Sequence, residues 1–166
     1  IADVPFQMSR HDSEMIELAR SYCELIEASG AGSQGWLRQV ADLLPRLQAA
    51  ITSLDNPDGQ GDAGLMPDLD ARFELFSHLR DLLGERDGYW LEFDRVGDGC
   101  AMTGSLADDL TDIYCELKHG LRVLAERPEQ AVPGWLNGYE SHWGRHLVDA
   151  QRHLASLAAV GRLELP

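Results

Sequence analysis

The sequence is poor in cysteine, and it lacks long apolar runs. Its three cysteines, Cys23, Cys100 and Cys115, are far apart and form no CxxC pair. An odd, scattered set of cysteines argues against a disulfide framework and favours a reducing compartment. No stretch approaches the roughly 20 consecutive apolar residues that a membrane-spanning helix needs. The first residues, IADVPFQMSRHD, also lack the features of a signal peptide. We therefore expect a cytoplasmic protein with no membrane partner.

Familiar catalytic motifs and basic residues are scarce as well. The sequence contains no glycine-rich phosphate loop and no GxSxG nucleophile elbow. Its 14 Lys and Arg residues face 28 Asp and Glu residues, which gives a net charge of −14. So acidic a surface repels phosphate backbones, and we expect no nucleic-acid partner. A cation, a protein partner, a small-molecule ligand and a second copy in a homodimer are all compatible with this charge.

The residues that are present favour helices. Aromatic residues make up only 7% of the chain, whereas 44% of it is hydrophobic and rich in Leu and Ala. Apolar residues recur at steps of three and four, which is typical of amphipathic helices. The length is that of one domain, spanning residues 1–166. We therefore predict a single-domain, all-α antiparallel bundle of about five helices. The predicted helices are Ser9–Ala28, Trp36–Leu54, Leu69–Leu83, Ser105–Glu126 and Trp135–Val160.

Several residues at the ends and inside these helices predict local features. Pro45 should kink the second helix, and Pro128 and Pro133 should stop the fourth. Ser105 can cap the fourth helix, with Asp108 in an imperfect capping box. Residues 55–68 form the longest predicted loop, and residues 89–93, YWLEF, are interpreted as a helical turn at one end of the bundle.

Three further residues predict specific contacts with their neighbours. Gly120 and Gly144 each cost up to about 1 kcal/mol relative to alanine inside a helix. A close approach of another backbone or the wall of a pocket would explain that cost, and of the two we expect the close approach. In so acidic a chain, Arg145 is expected to be a salt-bridge partner.

Two of the predicted helices carry a polar stripe beside the apolar face. At about 100° per residue, each stripe falls within an arc of about 60°. The acidic stripe on the fourth helix consists of Asp109, Asp112 and Glu116. The histidine stripe on the fifth consists of His142, His146, Asp149 and His153.

If the two stripes face each other, carboxylates meet imidazoles, although helical geometry alone does not fix that packing. Such a site can hold a divalent metal, with Zn, Mn, Fe, Ni and Mg as candidates. The predicted metal ligands are Asp109, Asp112, Glu116, His142 and His146, and Asp149 would orient a histidine. A structural His–Asp network and an acid–base site without metal are the alternatives.

Two segments, GSLADDLTDIYCELKHGL and YESHWGRHLVDAQRHL, resemble signature stretches of an uncharacterised bacterial family of small all-helical proteins. The likeness extends weakly over most of the chain, including LLPRLQAA. The resemblance implies an all-α fold and a bacterial cytosolic protein, and it supplies no reaction. The matching words single out eight positions, namely Asp108, Asp109, Asp112, Tyr114, Glu140, His142, Trp143 and His146. Together with the histidine stripe they give the candidate ligand-binding residues Tyr114, Glu140, Trp143 and Asp149.

Three functions are compatible with these patterns. The leading interpretation is a binding or regulatory protein with a polar His/carboxylate site between the fourth and fifth helices. The second is a metal-dependent hydrolase of nucleotides or phosphate compounds. In its support, the acidic pairs Glu14/Glu17 and Glu24/Glu27, with Asp109/Asp112, resemble those that bind Mg²⁺ in all-helical nucleotide pyrophosphohydrolases. The third is a protein-interaction module that acts through an exposed apolar patch.

Overall fold

The computed structural model describes residues 7–30, 34–55, 68–91 and 102–166. The predicted all-α bundle is confirmed, because the described elements are helices packed together apart from one small two-stranded sheet. None of the described helices is both long and apolar enough to cross a membrane. Cys100 and residues 56–67 of the predicted loop lie outside the described residues. The helices are α1 Arg10–Glu27, α2 Trp36–Thr52, α3 Leu69–Leu83, α4 Leu106–Glu126, α5 Pro128–Gly138 and α6 Gly144–Ala159. The strands are β1 Gly88–Leu91 and β2 Met102–Ser105.

The start of α4 is fixed by side chains from two elements. The predicted cap at Ser105 is confirmed, since its hydroxyl accepts a hydrogen bond from the backbone N–H of Asp108 at 3.2 Å. Asp87 adds a second acceptor, because its carboxylate accepts the backbone N–H of Ala107 at 2.7 Å and the Ser105 hydroxyl at 2.9 Å. These bonds satisfy backbone donors that a helix start otherwise leaves unpaired. The first turns of α4 therefore begin at a defined position.

Residues 89–91 belong to a strand, so the interpretation of this segment as a helical turn was wrong; residues 92 and 93 lie outside the described part of the chain. β1 pairs antiparallel with β2, with Tyr89 opposite Gly104 and Trp90 opposite Thr103. Aromatic side chains suit a pleated, half-buried strand, and the run was too short for its alternation to be recognised. Gly104 is needed opposite Tyr89, because a Cβ there would lie 2.3 Å from the phenol ring.

The predicted fifth helix also begins earlier and is divided. α5 starts at Pro128 because proline is tolerated in the first helical turn, where its missing N–H would have been unpaired. Pro133 lies inside α5. A π-helical turn, Tyr139–Trp143, then separates α5 from α6. α2 continues through Pro45, and the kink expected there stays a prediction.

α4 is the central helix and packs against α1, α3, α5 and α6. The buried hydroxyl of Tyr22 on α1 donates to the carbonyl of Leu110 at 2.8 Å. At Gly120 the close neighbour is the indole of Trp135 rather than a backbone, since a Cβ would lie 1.9 Å from the indole nitrogen. Cys23 is buried, and burial raises the pKa of its thiol to about 12, which suits a small apolar side chain in the core. This packing leaves one edge of α4 facing α6.

Candidate metal centre

The acidic stripe of α4 faces the histidine stripe. His146 Nδ1 lies 2.7 Å from Asp109 Oδ1, and His142 Nδ1 lies 3.1 Å from Glu116 Oε1. The side chains of Asp109 and His146 are 6% and 12% exposed, whereas that of His142 is 45% exposed. A polar His/carboxylate site therefore exists between α4 and the segment formed by the π-helical turn and α6, with one end open to solvent.

The two nitrogens of each ring have different partners. An ionised carboxylate only accepts hydrogen bonds, so each Nδ1 beside Asp109 or Glu116 is assigned as the donor. Both Nε2 atoms turn toward one oxygen, Oδ2 of Asp112, at 3.1 Å from His146 and 3.8 Å from His142. The rings lie 5.0 Å apart, edge to face, at 75°. Two imidazoles thus converge on a single carboxylate oxygen.

This convergence has an electrostatic consequence. A neutral His146 that donates from Nδ1 would point the lone pair of Nε2 at the negatively charged Oδ2 of Asp112, and that contact is repulsive unless a proton or another cation lies between them. Burial alone lowers the pKa of His146, but the hydrogen bond to Asp109 and the charge of Asp112 outweigh it and raise that pKa. Burial raises the pKa of Asp109, although the hydrogen bonds from His146 and Tyr89 act to lower it. The site therefore attracts positive charge.

Two residues from other elements hold the carboxylates in place. Arg72 on α3 donates from Nε to Oδ1 of Asp112 and from Nη2 to Oδ1 of Asp108, both at 2.8 Å. Oδ2 of Asp112 therefore stays turned to the imidazoles. The Tyr89 hydroxyl donates to Oδ2 of Asp109. Burial, and then this hydrogen bond, raises the pKa of Tyr89. Neither Arg72 nor Tyr89 was found from the sequence, because no helical spacing connects α3 or β1 with the acidic stripe.

Within the described part of the chain, two groups of three residues could hold a metal ion, with their ligand atoms within 4.8 Å of one another. In the group of Asp112, His142 and His146, the two Nε2 atoms converge on Oδ2 of Asp112, and their distances to that oxygen suit a shared metal ion. Metal bonds of about 2.0–2.2 Å place tetrahedral ligand atoms roughly 3.3 Å apart. In the group of Asp108, Asp109 and His146, both oxygens of Asp109 already contact other side chains, namely those of His146 and Tyr89. In the first group, by contrast, Arg72 donates only to Oδ1 of Asp112 and leaves Oδ2 to the imidazoles. The first group therefore suits a metal better.

The rest of the histidine stripe has other contacts. Asp149 lies 3.4 Å from Nη2 of Arg152, and neither metal group includes it. His153 Nε2 lies 2.6 Å from the carbonyl of Arg86, and its ring stacks on Tyr89 at 4.7 Å. Two members of the stripe, His142 and His146, therefore meet the acidic stripe in a metal group.

The remaining candidate ligand-binding residues lie outside both metal groups. The Tyr114 hydroxyl donates to Glu27 at 2.8 Å, and Glu27 also accepts from Lys118. Trp143 is buried and donates its indole N–H to the carbonyl of Trp135 at 3.0 Å. Glu140 is exposed on the π-helical turn. The acidic pairs of α1 are also absent from both metal groups.

The π-helical turn positions His142. Single π turns inside helical segments are frequent at functional sites, because they redirect the side chains on either side. Gly144 closes this turn, since a Cβ there would lie 2.5 Å from the carbonyl oxygen of Tyr139. The close backbone at Gly144 thus belongs to its own π-helical turn, and the close approach of another backbone expected there is not what the structure shows.

A cleft of about 840 Å³ opens beside the centre. Asp109 and His146 form part of its wall, together with Tyr89 of β1 and residues of α3 and α6. Its volume falls in the range of small-molecule sites.

Comparisons with known proteins agree with this fold and give no reaction. The family model described as Domain of unknown function (DUF5063) matches residues 6–160. The search of curated proteins found no match. The crystal structure of protein BF1032 from Bacteroides fragilis is similar, with a TM-score of 0.68 and 17% sequence identity over 90% of this chain and 92% of that chain. At that identity the likeness supports the fold alone.

Proposed function

The chain belongs to the DUF5063 family, whose function is unknown, and we propose that it binds a divalent transition metal between α4 and α6. The ligands are Nε2 of His142, Nε2 of His146 and Oδ2 of Asp112. One observation carries the proposal: both imidazoles present Nε2 to the same carboxylate oxygen while a second carboxylate holds each Nδ1. Metal-bound histidines have this arrangement, in which the outer carboxylate fixes the ring and raises its basicity.

The donor set favours Zn²⁺, Fe²⁺ or Ni²⁺ over Mg²⁺. Two imidazole nitrogens and one carboxylate oxygen suit transition metals, whereas Mg²⁺ prefers an octahedron of oxygen ligands. Three protein ligands also leave coordination positions open for water or a small molecule, as in catalytic zinc sites. The exposed edge of His142 gives access from solvent.

The proposal is tested by titrating Zn²⁺ into the protein purified without a His tag, using calorimetry. We expect one Zn²⁺ per chain. His142→Ala and His146→Ala should each weaken binding by about tenfold or more, because each removes a ligand. The matched control is His11→Ala, since His11 is exposed in the first turn of α1, and it should bind Zn²⁺ as the wild type does.

Two outcomes would contradict the metal centre. In one, the wild type binds no Zn²⁺, Fe²⁺ or Ni²⁺ at micromolar concentration. In the other, His11→Ala weakens binding as much as the stripe variants do. Either result would leave the cluster as a structural His–Asp network.

A further inference from the structure

The cleft beside the metal centre carries three arginines in a chain with a large excess of acid. Arg80 comes from α3, and Arg145 and Arg152 come from α6. Arg152 lies beside Asp149. Within residues 7–30, 34–55, 68–91 and 102–166, neither Arg80 nor Arg145 forms an ion pair, so the salt bridge expected of Arg145 is not found there. Two guanidinium groups therefore face the cleft without a counterion from the described residues.

The acidic side chains of the same wall already have partners. Asp87 accepts the hydrogen bonds that cap α4. Asp108 pairs with Arg72, and Asp109 accepts hydrogen bonds from Tyr89 and His146. Asp87, Asp108 and Asp109 thus already accept hydrogen bonds from other groups, whereas neither Arg80 nor Arg145 forms an ion pair with a described residue.

We propose that this cleft binds a small molecule that carries a phosphate group, with the phosphate oxygens against Arg80 and Arg145. The planar guanidinium group donates paired hydrogen bonds to phosphate oxygens. Two guanidinium groups without an ion-pair partner among the described residues match the charge of a phosphate dianion better than that of a single carboxylate. Phe76 and Leu91 line the same cleft and can contact an apolar part of the ligand. The inference rests on the proposed metal centre for a second anchor, because His146 belongs to both.

Phenylphosphonate is a suitable probe, since it joins a phosphonate dianion to one apolar ring. Benzoate and benzyl alcohol are the matched carboxylate and neutral compounds. Each is titrated calorimetrically into metal-free and Zn²⁺-loaded protein. We expect phenylphosphonate to bind more tightly than benzoate and benzyl alcohol in both forms, and to bind most tightly to the Zn²⁺-loaded form.

The arginines are tested with two double variants of equal charge. Arg80→Gln with Arg145→Gln should weaken phenylphosphonate binding about tenfold or more and leave Zn²⁺ affinity within about twofold. The control, Arg20→Gln with Arg46→Gln, removes two exposed arginines from α1 and α2. It should leave phenylphosphonate binding within about twofold of the wild type.

The outcomes separate the two proposals. Protein that binds Zn²⁺ but shows no preference for phenylphosphonate overturns this inference and leaves the metal centre standing. Protein that binds no Zn²⁺ but binds phenylphosphonate through Arg80 and Arg145 supports the cleft and contradicts the centre. Equal loss in both double variants also overturns the inference, because binding would then depend only on net charge.

Discussion

Asp109 and Glu116 show how single residues can set metal affinity without contacting the metal. Each holds the Nδ1 of one histidine. Asp109→Asn and Glu116→Gln keep an acceptor oxygen but lose the negative charge that raises the basicity of the imidazole. We expect each variant to bind Zn²⁺ about 10–100-fold more weakly than the wild type, measured by competition with a chelating dye. Asp149→Asn is the control, because Asp149 lies beside Arg152. An equal loss of Zn²⁺ affinity in Asp149→Asn would show that the affinity depends on the net negative charge and not on these two carboxylates.

Glu27 provides a residue-scale prediction about pH. Hydrogen bonds from Lys118 and then from Tyr114 lower its pKa below the ordinary 4.5. A lowered folded-state pKa adds stability above the unfolded-state value, and that stability is lost as the pH falls through the folded-state value. Urea unfolding should therefore show wild type more stable than Glu27→Gln at neutral pH, with the difference vanishing in acid. A difference that stays constant with pH would contradict this account.

At the scale of whole elements, the first four helices were predicted closely because their apolar periodicity and caps are local. Ser9 and Ser105 both cap helices, and both lie where the apolar pattern begins. The start of α5 was missed because Pro128 was interpreted as a stop, although the same residue suits a first turn. The pairing of β1 with β2 joins segments separated by ten residues of the chain, which no local pattern encodes.

The site was predictable in part for the same reason. Helical geometry fixes which residues share a stripe, so Asp112, His142 and His146 were identified as candidates. These three residues lie together because α4 packs against α6, and sequence spacing within a helix does not determine which helices pack together. The contributions of Arg72 and Tyr89 come from α3 and β1 and could not be found from spacing.

The π-helical turn gives a prediction at the element scale. Gly144→Ala should force the turn open, because the added Cβ would lie 2.5 Å from the Tyr139 carbonyl oxygen. Overpacking of this kind typically costs about 1–3 kcal/mol. We expect a loss of that size in urea unfolding, together with weaker Zn²⁺ binding, since His142 lies on the turn. Gly30→Ala is the control, because its Cβ would meet nothing within 4 Å. Full Zn²⁺ affinity in Gly144→Ala would show that the turn does not position His142.

At the scale of the whole molecule, the net charge of −14 attracts any divalent cation, so a specific centre must be distinguished from general screening. Mg²⁺ should raise the Tm of the wild type and of His142→Ala/His146→Ala by the same amount. A ligand that binds only the folded state adds about 2.7 kcal/mol at 100 times its Kd. For a domain of this size that corresponds to roughly 5–10 °C in Tm. The Tm of each protein is measured by circular dichroism in Zn²⁺ and in Mg²⁺ at the same ionic strength. We expect Zn²⁺ to raise the Tm by this further amount in the wild type and not in the double variant. Equal Zn²⁺ shifts in both proteins would mean that the acidic surface, and not the convergence of two imidazoles on Asp112, binds the ion.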